Sequence, residues 1–120
     1  MANIQDALQG IERVSDPLFP HAPPDWRPEA ALEIARQEQL TLGDDHWAVV
    51  RGLQEFFARH EYDAIKLREL YDALDEKFHH KGGMKYLYTL LPGGPIAQGC
   101  RLAGLKPPAG ATDLSFGSVA

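Results

Sequence analysis

Residues 43–60 read GDDHWAVVRGLQEFFARH, and the spacing of their apolar side chains decides the class of fold. Trp47, Val50, Leu53 and Phe57 recur at steps of three and four, with Val49 and Phe56 beside them, so the stretch is a helix with a broad buried face. Asp44 and Asp45 stand where the positive N-terminal end of that helix favours acids. Upstream, Pro28 suits the first turn of a helix running to about Gln39, with Leu32, Ile34 and Ala35 inward. Downstream, residues 63–78 put Leu67, Leu70, Tyr71, Leu74 and Phe78 on one stripe, and Gly82-Gly83 ends or interrupts that helix. Met84, Leu87, Tyr88 and Leu91 mark a short fourth helix, closed by PGGP at 92–95. Pro95 opens a fifth, IAQGCRLAG.

The flanks are less regular. Residues 15–28, SDPLFPHAPPDWRP, hold five prolines and form a turn and extended connector. Residues 3–14 read two ways: Ile4, Leu8 and Ile11 suit a helix, whereas Gly10 and the SDP turn suit a short hairpin. Beyond Leu105 nothing is periodic, and Pro107, Pro108, Gly110 and Gly117 suggest a mobile tail. Neither repeats nor low-complexity tracts occur. The expectation is a mainly α, helix-turn-helix-like domain over residues 1–104, and an arm over 105–120.

The 120 residues suffice for one modest core, and 44% apolar with 24% charged residues is ordinary for a soluble globular chain. No apolar run approaches the roughly 18 residues that cross a bilayer, so no membrane role is expected. The start, MANIQDALQGIERV, lacks a basic segment before an apolar block, which makes the cytoplasm the expected compartment. A single cysteine excludes an internal disulfide. Net charge is −5 but unevenly placed: residues 1–76 hold 7 Lys/Arg against 16 Asp/Glu. Residues 77–112 hold Lys77, Lys81, Lys85, Arg101 and Lys106 with no acid. That segment reads either as a solvated face or as an anion site or docking patch for an acidic partner.

Several chemistries are poorly supported. Adjacent His79 and His80 point apart on a helix and no second cysteine completes a zinc site. PGGP lacks the Lys-Ser/Thr of a phosphate loop, and no alternating strands supply a dinucleotide fold, so no metal or cofactor is expected. Asp72, Asp75 and Glu76 read as a solvated face, and nothing forms a serine triad. DNA binding by the helices at 63–78 and 84–91 is a minor alternative, because the second (MKYLYTLL) has one lysine and no row of base-reading side chains. The thiol of Cys100 remains. A lone cysteine reads as an inert buried hydrophobe. Against that, Arg101 is adjacent, acids are absent, and Gly99 leaves room for close approach, features that favour thiolate. The residues by themselves leave both readings open.

The stretch KYLYTLLPGGPIAQGCRLAGLKPPAG at 85–110 resembles the signature of the DsrC/TusE family of sulfur-relay proteins, which includes the gamma subunit of dissimilatory sulfite reductase. The resemblance rests on Lys85 to Tyr88, Pro92, Gly94-Pro95, Gln98, Cys100-Arg101, Ala103 to Leu105 and the following prolines. Asp25-Trp26, His46-Trp47 and Arg68 fit the pattern upstream, and Gly10 and Asp16 fall near a turn of its N-terminal hairpin. The resemblance implies a compact helical domain of about five helices with a small N-terminal β-hairpin and a flexible C-terminal arm. DsrC-type members carry two arm cysteines, one near the base and one next to last in the chain. The terminal one accepts sulfur inside a partner's catalytic channel, and the pair can close as a disulfide or trisulfide. TusE-type members keep the terminal cysteine alone and pass persulfide sulfur along a transfer-RNA thiolation relay.

Cys100 matches the base cysteine, while Ala111 occupies the terminal position and TDLSFGSVA follows it. Two readings account for Ala111: a cysteine exchanged to trap a state, or a natural single-cysteine member with an altered role. The resemblance implies a sulfur carrier that is a protein substrate rather than a stand-alone enzyme, impaired by Ala111. Its partner would be a sulfurtransferase of the transfer-RNA relay, a dissimilatory sulfite reductase or a heterodisulfide-reductase-like enzyme. Cys100 would carry persulfide or link a dimer, and Lys77, Lys81, Lys85 and Arg101 would bind anionic sulfur or dock the partner. The other class is a non-catalytic regulatory protein binding DNA or protein on the same scaffold.

Overall fold

The computed structural model of the protein describes residues 17–111 and contains five α-helices among them. They are α1 (Pro28–Gln37), α2 (Asp44–Ala58), α3 (Leu67–Lys77), α4 (Gly83–Leu90) and α5 (Pro95–Ala103), with 3-10 turns at Tyr62–Ala64 and His79–Lys81. No strand occurs among the described residues. The expected N-terminal hairpin falls within 1–16 and the end of the arm within 112–120, both outside the described residues.

Local chemistry sets the helix ends. Pro28 and Pro95 occupy the first turns of α1 and α5, where a missing N–H removes no helical bond. The turn between α3 and α4 has positive φ at Gly82 (120°) and Gly83 (64°), a conformation that β-carbon sterics deny most residues. The carboxylate of Asp75 then accepts the Met84 N–H at 2.8 Å and caps the start of α4.

α5 is the centre of the fold. Pro95 to Cys100, Leu102 and Ala103 are all buried, and α1 and α2 pack on it more extensively than any other helix pair. Small residues permit this approach. Ala31 and Ala35 form the buried stripe of α1. A β-carbon at Gly99 would lie 2.8 Å from Leu53 Cδ1 and 3.3 Å from Val49 Cγ1. The room at Gly99 is therefore filled by α2 and gives no access to sulfur. Ahead of α1, Phe19 inserts between Trp26 and Trp47, with ring centroids 5.0 and 5.6 Å away.

Three expectations need correction. The inward face of α1 is Ala31/Ala35, whereas Leu32 is 50% exposed, and Gln39 with φ 61° lies beyond the helix end. Residues 63–78 do not form one helix: Ile65 and Lys66 are extended, which leaves Ile65 buried before α3 begins. Tyr86 and Tyr88 are both expected to be core rather than contact residues; Tyr86 packs partly buried against the core, but Tyr88 does not. Its exposed ring meets Tyr71 hydroxyl to hydroxyl.

Candidate functional site: the thiol and the arm root

Cys100 begins the last turn of α5 and has no exposed surface. Burial pushes its thiol up to about 12 from the usual value of 9.0, so the thiolate is disfavoured. Arg101 does not offset this. Its Nε and Nη2 both donate to the Glu38 carboxylate at 2.8 Å, and Gln98 Nε2 donates to the same group at 2.8 Å. The pair holds the Glu38 carboxyl below its usual range, chiefly through the Arg101 hydrogen bond. Of the two readings left open for Cys100, the structure shows a buried thiol, and the Arg101 guanidinium pairs with an acid 63 positions away.

The helix ends in a Schellman motif. Leu105 N–H donates to Cys100 O at 2.8 Å, Gly104 N–H donates to Arg101 O at 3.3 Å, and Gly104 takes the left-handed conformation at φ 76°. Beyond it, residues 105–111 lie against the helical body. Tyr62 Oη donates to Pro107 O at 2.9 Å, and the Lys106 ammonium sits 5.8 Å from the Tyr62 ring centroid. Pro108 is buried, and Ala111 N–H closes a turn onto Pro108 O at 3.2 Å.

Ala111 is half-buried and borders a cavity of about 330 Å³ between Tyr71, Tyr88 and the first turn of α5. The two phenols share a hydrogen bond of 2.5 Å. It pushes the Tyr71 hydroxyl up to about 12, with burial the lesser cause. Ala111 thus shares the lining of this cavity with the two tyrosines and with Leu67, Pro95, Ile96 and Ala97.

The expected basic residues do not gather around the thiol. Lys81 Nζ donates to both Asp45 oxygens at 2.9 and 3.1 Å, and Tyr86 Oη donates to the same carboxylate. These contacts hold the Asp45 carboxyl below its usual range, the Tyr86 bond most, and the Lys81 ammonium above its own. Lys77 lays its stem toward Gly52 between α2 and α3, and Lys85 is exposed. His46 links α2 to α4 instead: Nδ1 accepts the Gly43 N–H at 3.0 Å and Nε2 pairs with Leu90 O at 3.0 Å.

Glu38 and the Tyr71–Tyr88 pair carry no sequence signal for these roles, because their partners lie 63 and 17 residues away. Asp25-Trp26 is marked in the sequence only by its fit to the family pattern. Among the described residues no group of three His, Cys, Asp or Glu could hold a metal ion. No helix among them is long and apolar enough to cross a membrane.

A family model described as DsrC like protein matches residues 13–111, ending at Ala111. Sulfurtransferase TusE of Photorhabdus laumondii subsp. laumondii is 39% identical over 85 residues, which cover 70% of this chain and 76% of the relative. The Yersinia pestis protein of that name is 38% identical over 85 residues, covering 70% and 77%. The Escherichia coli (strain K12) protein of that name is 37% identical over 84 residues, covering 69% and 76%. No solved structure matches. With every described residue inside the family model and relatives of this identity, the protein belongs to the DsrC-like family.

Proposed function

We propose that the protein works in sulfur relay as the docking partner of a sulfurtransferase, with Cys100 as the one group in the chain able to carry sulfur. The observation that supports this most is the retained arm motif around Cys100 within a DsrC-like chain whose relatives bear the name sulfurtransferase TusE. Those relatives favour a transfer-RNA-type relay over a sulfite reductase or heterodisulfide-reductase-like partner. Ala111 leaves the arm without the family's terminal thiol, so no disulfide or trisulfide can close inside this chain. Loading at Cys100 is conditional: the group is sealed and protonated with the arm root closed. Lys77 and Lys85, both exposed, and the Lys81–Asp45 pair are candidate basic positions available to a partner.

Intact mass after treatment with polysulfide tests the reading. The expected result is slow gain of one sulfur atom, lost in Cys100→Ala and faster when the partner is present. Adduct formation only on the unfolded chain sinks the carrier role. A second reading, a non-catalytic interaction protein on this scaffold, is favoured by the burial of Cys100 together with alanine at 111. It expects Cys100→Ala to be silent and charge reversal at Lys81 and Lys85 to abolish binding to DNA or protein in a gel shift.

A further inference from the structure

We propose that Trp26 and Gln54 are positioning residues that clamp the root of the C-terminal arm and so gate access to Cys100. The proposal rests on reading residues 105–111 as the family's arm.

The last four carbonyls of an α-helix have no partner within it and must find one elsewhere. In α5 these belong to Cys100, Arg101, Leu102 and Ala103. The first two are satisfied by the Schellman turn, through Leu105 and Gly104. The other two are satisfied by side chains from distant segments. Trp26 Nε1 donates to Leu102 O at 2.8 Å, and Gln54 Nε2 donates to Ala103 O at 3.0 Å. Leu102 and Ala103 are buried, at 1% and 0% exposure, so water cannot replace either donor cheaply.

Both residues are specialised beyond packing. The Trp26 indole lies on the hinge itself: a β-carbon at Gly104 would stand 2.6 Å from Trp26 Cδ1. Gln54 is 1% exposed and its Oε1 has no partner, so this amide gives up an acceptor to keep the donor on Ala103. A leucine would fill that space without the penalty of an unpaired buried oxygen. Between them the two donors set the direction in which the chain leaves α5, and Tyr62 holds the arm one step further along at Pro107.

The gate follows from the register of the same turn. Swinging the arm about Gly104 breaks the Leu105–Cys100 bond, which opens the turn that begins with Cys100. Trp26 and Gln54 hold carbonyls of that same last turn, so loss of either donor favours its opening and with it exposure of the thiol.

The test is the rate at which Cys100 in the full chain reacts with a small aromatic disulfide at urea concentrations below the unfolding transition. Trp26→Phe keeps the ring and removes the N–H, and Gln54→Met keeps the volume and removes the donor. Each is expected to speed the urea-independent labelling about tenfold, the factor that one ordinary buried hydrogen bond supplies. Leu70→Ala, in the core of α3, is expected to move only the urea-dependent labelling that reports complete unfolding. If the Trp26 and Gln54 variants also move only that limb, the clamp is overturned. Hydrogen exchange on the unsubstituted protein gives an independent reading. The Leu105 amide and the Trp26 indole N–H are expected to exchange through one shared sub-global opening, and independent exchange overturns the coupling. Neither readout involves sulfur or a partner, so failure of the clamp and failure of the sulfur-relay reading are distinguishable.

Discussion

Glu38 and Arg101, 63 positions apart, meet in a two-pronged ion pair at 2.8 Å, with side chains only 15% and 24% exposed. Gln98 Nε2 donates to the same carboxylate, and Gln98 Oε1 accepts the Gly93 N–H at 2.8 Å. The network ties the end of α1 to α5 and to the loop that precedes it.

Glu38→Gln is expected to cost about 2 kcal/mol near neutral pH, the range for a charge-assisted bond between partly buried groups. Glu38 has its carboxyl lowered on folding, so its contribution is present above the unfolded carboxylate range. It is lost as pH falls through the lower folded value. Urea unfolding at neutral and at strongly acidic pH checks this, and a difference between variant and parent that survives in acid contradicts it.

Alkaline pH has the opposite sign. The Cys100 thiol and the Tyr71 hydroxyl are both pushed up to about 12, so the unfolded chain releases these protons first. The stability they contribute is complete below their unfolded values and declines as pH rises toward about 12. Cys100→Ala is expected to flatten part of this decline in urea titrations at successive alkaline pH values. An unchanged slope refutes the assignment to the thiol.

At Gly99 two effects oppose each other. Alanine in a helix interior gains up to about 1 kcal/mol over glycine. Overpacking a close contact costs about 1–3 kcal/mol. With Leu53 Cδ1 only 2.8 Å from the new carbon and its side chain fully buried, overpacking wins. Gly99→Ala is expected to destabilise by about 1 kcal/mol net in urea unfolding. Gly99→Ala with Leu53→Val is expected to recover part of the loss. Stabilisation by the single change means α2 and α5 are less tightly apposed.

Ala111→Cys restores a thiol at the half-buried position beside Tyr71 and Tyr88. The variant is expected to take up one sulfur atom from polysulfide faster than Cys100 does, measured by intact mass in a Cys100→Ala background. A rate no greater than that of Cys100 in the parent removes the arm position as the natural seat of a sulfur acceptor.

Much of this was legible without coordinates. Apolar periodicity located α2 and α4, Pro95 marked α5, and Pro28 and Gly82-Gly83 marked further helix ends, because these signals act within one or two turns. The same locality explains the misreadings. At α1 the expected inward set is Leu32, Ile34 and Ala35; Ala35 is buried, but Ala31 takes the place expected for Leu32. The close packing of α1 on α5 selected the alanines. The arm motif and the alanine at 111 were equally plain, since identity at a position requires no folding to read.

By itself, the sequence determined the helical class, the helix punctuation, the lone thiol and the family's arm motif. The tertiary structure decided what state that thiol is in. Acid-free sequence around Cys100 implied a positive, thiolate-favouring environment, but fields act through space. Folding brings Glu38 onto Arg101 and removes water from the sulfur, so desolvation prevails and the thiol stays protonated. The last two carbonyls of α5 likewise find their donors only when Trp26 and Gln54 arrive from elsewhere in the chain.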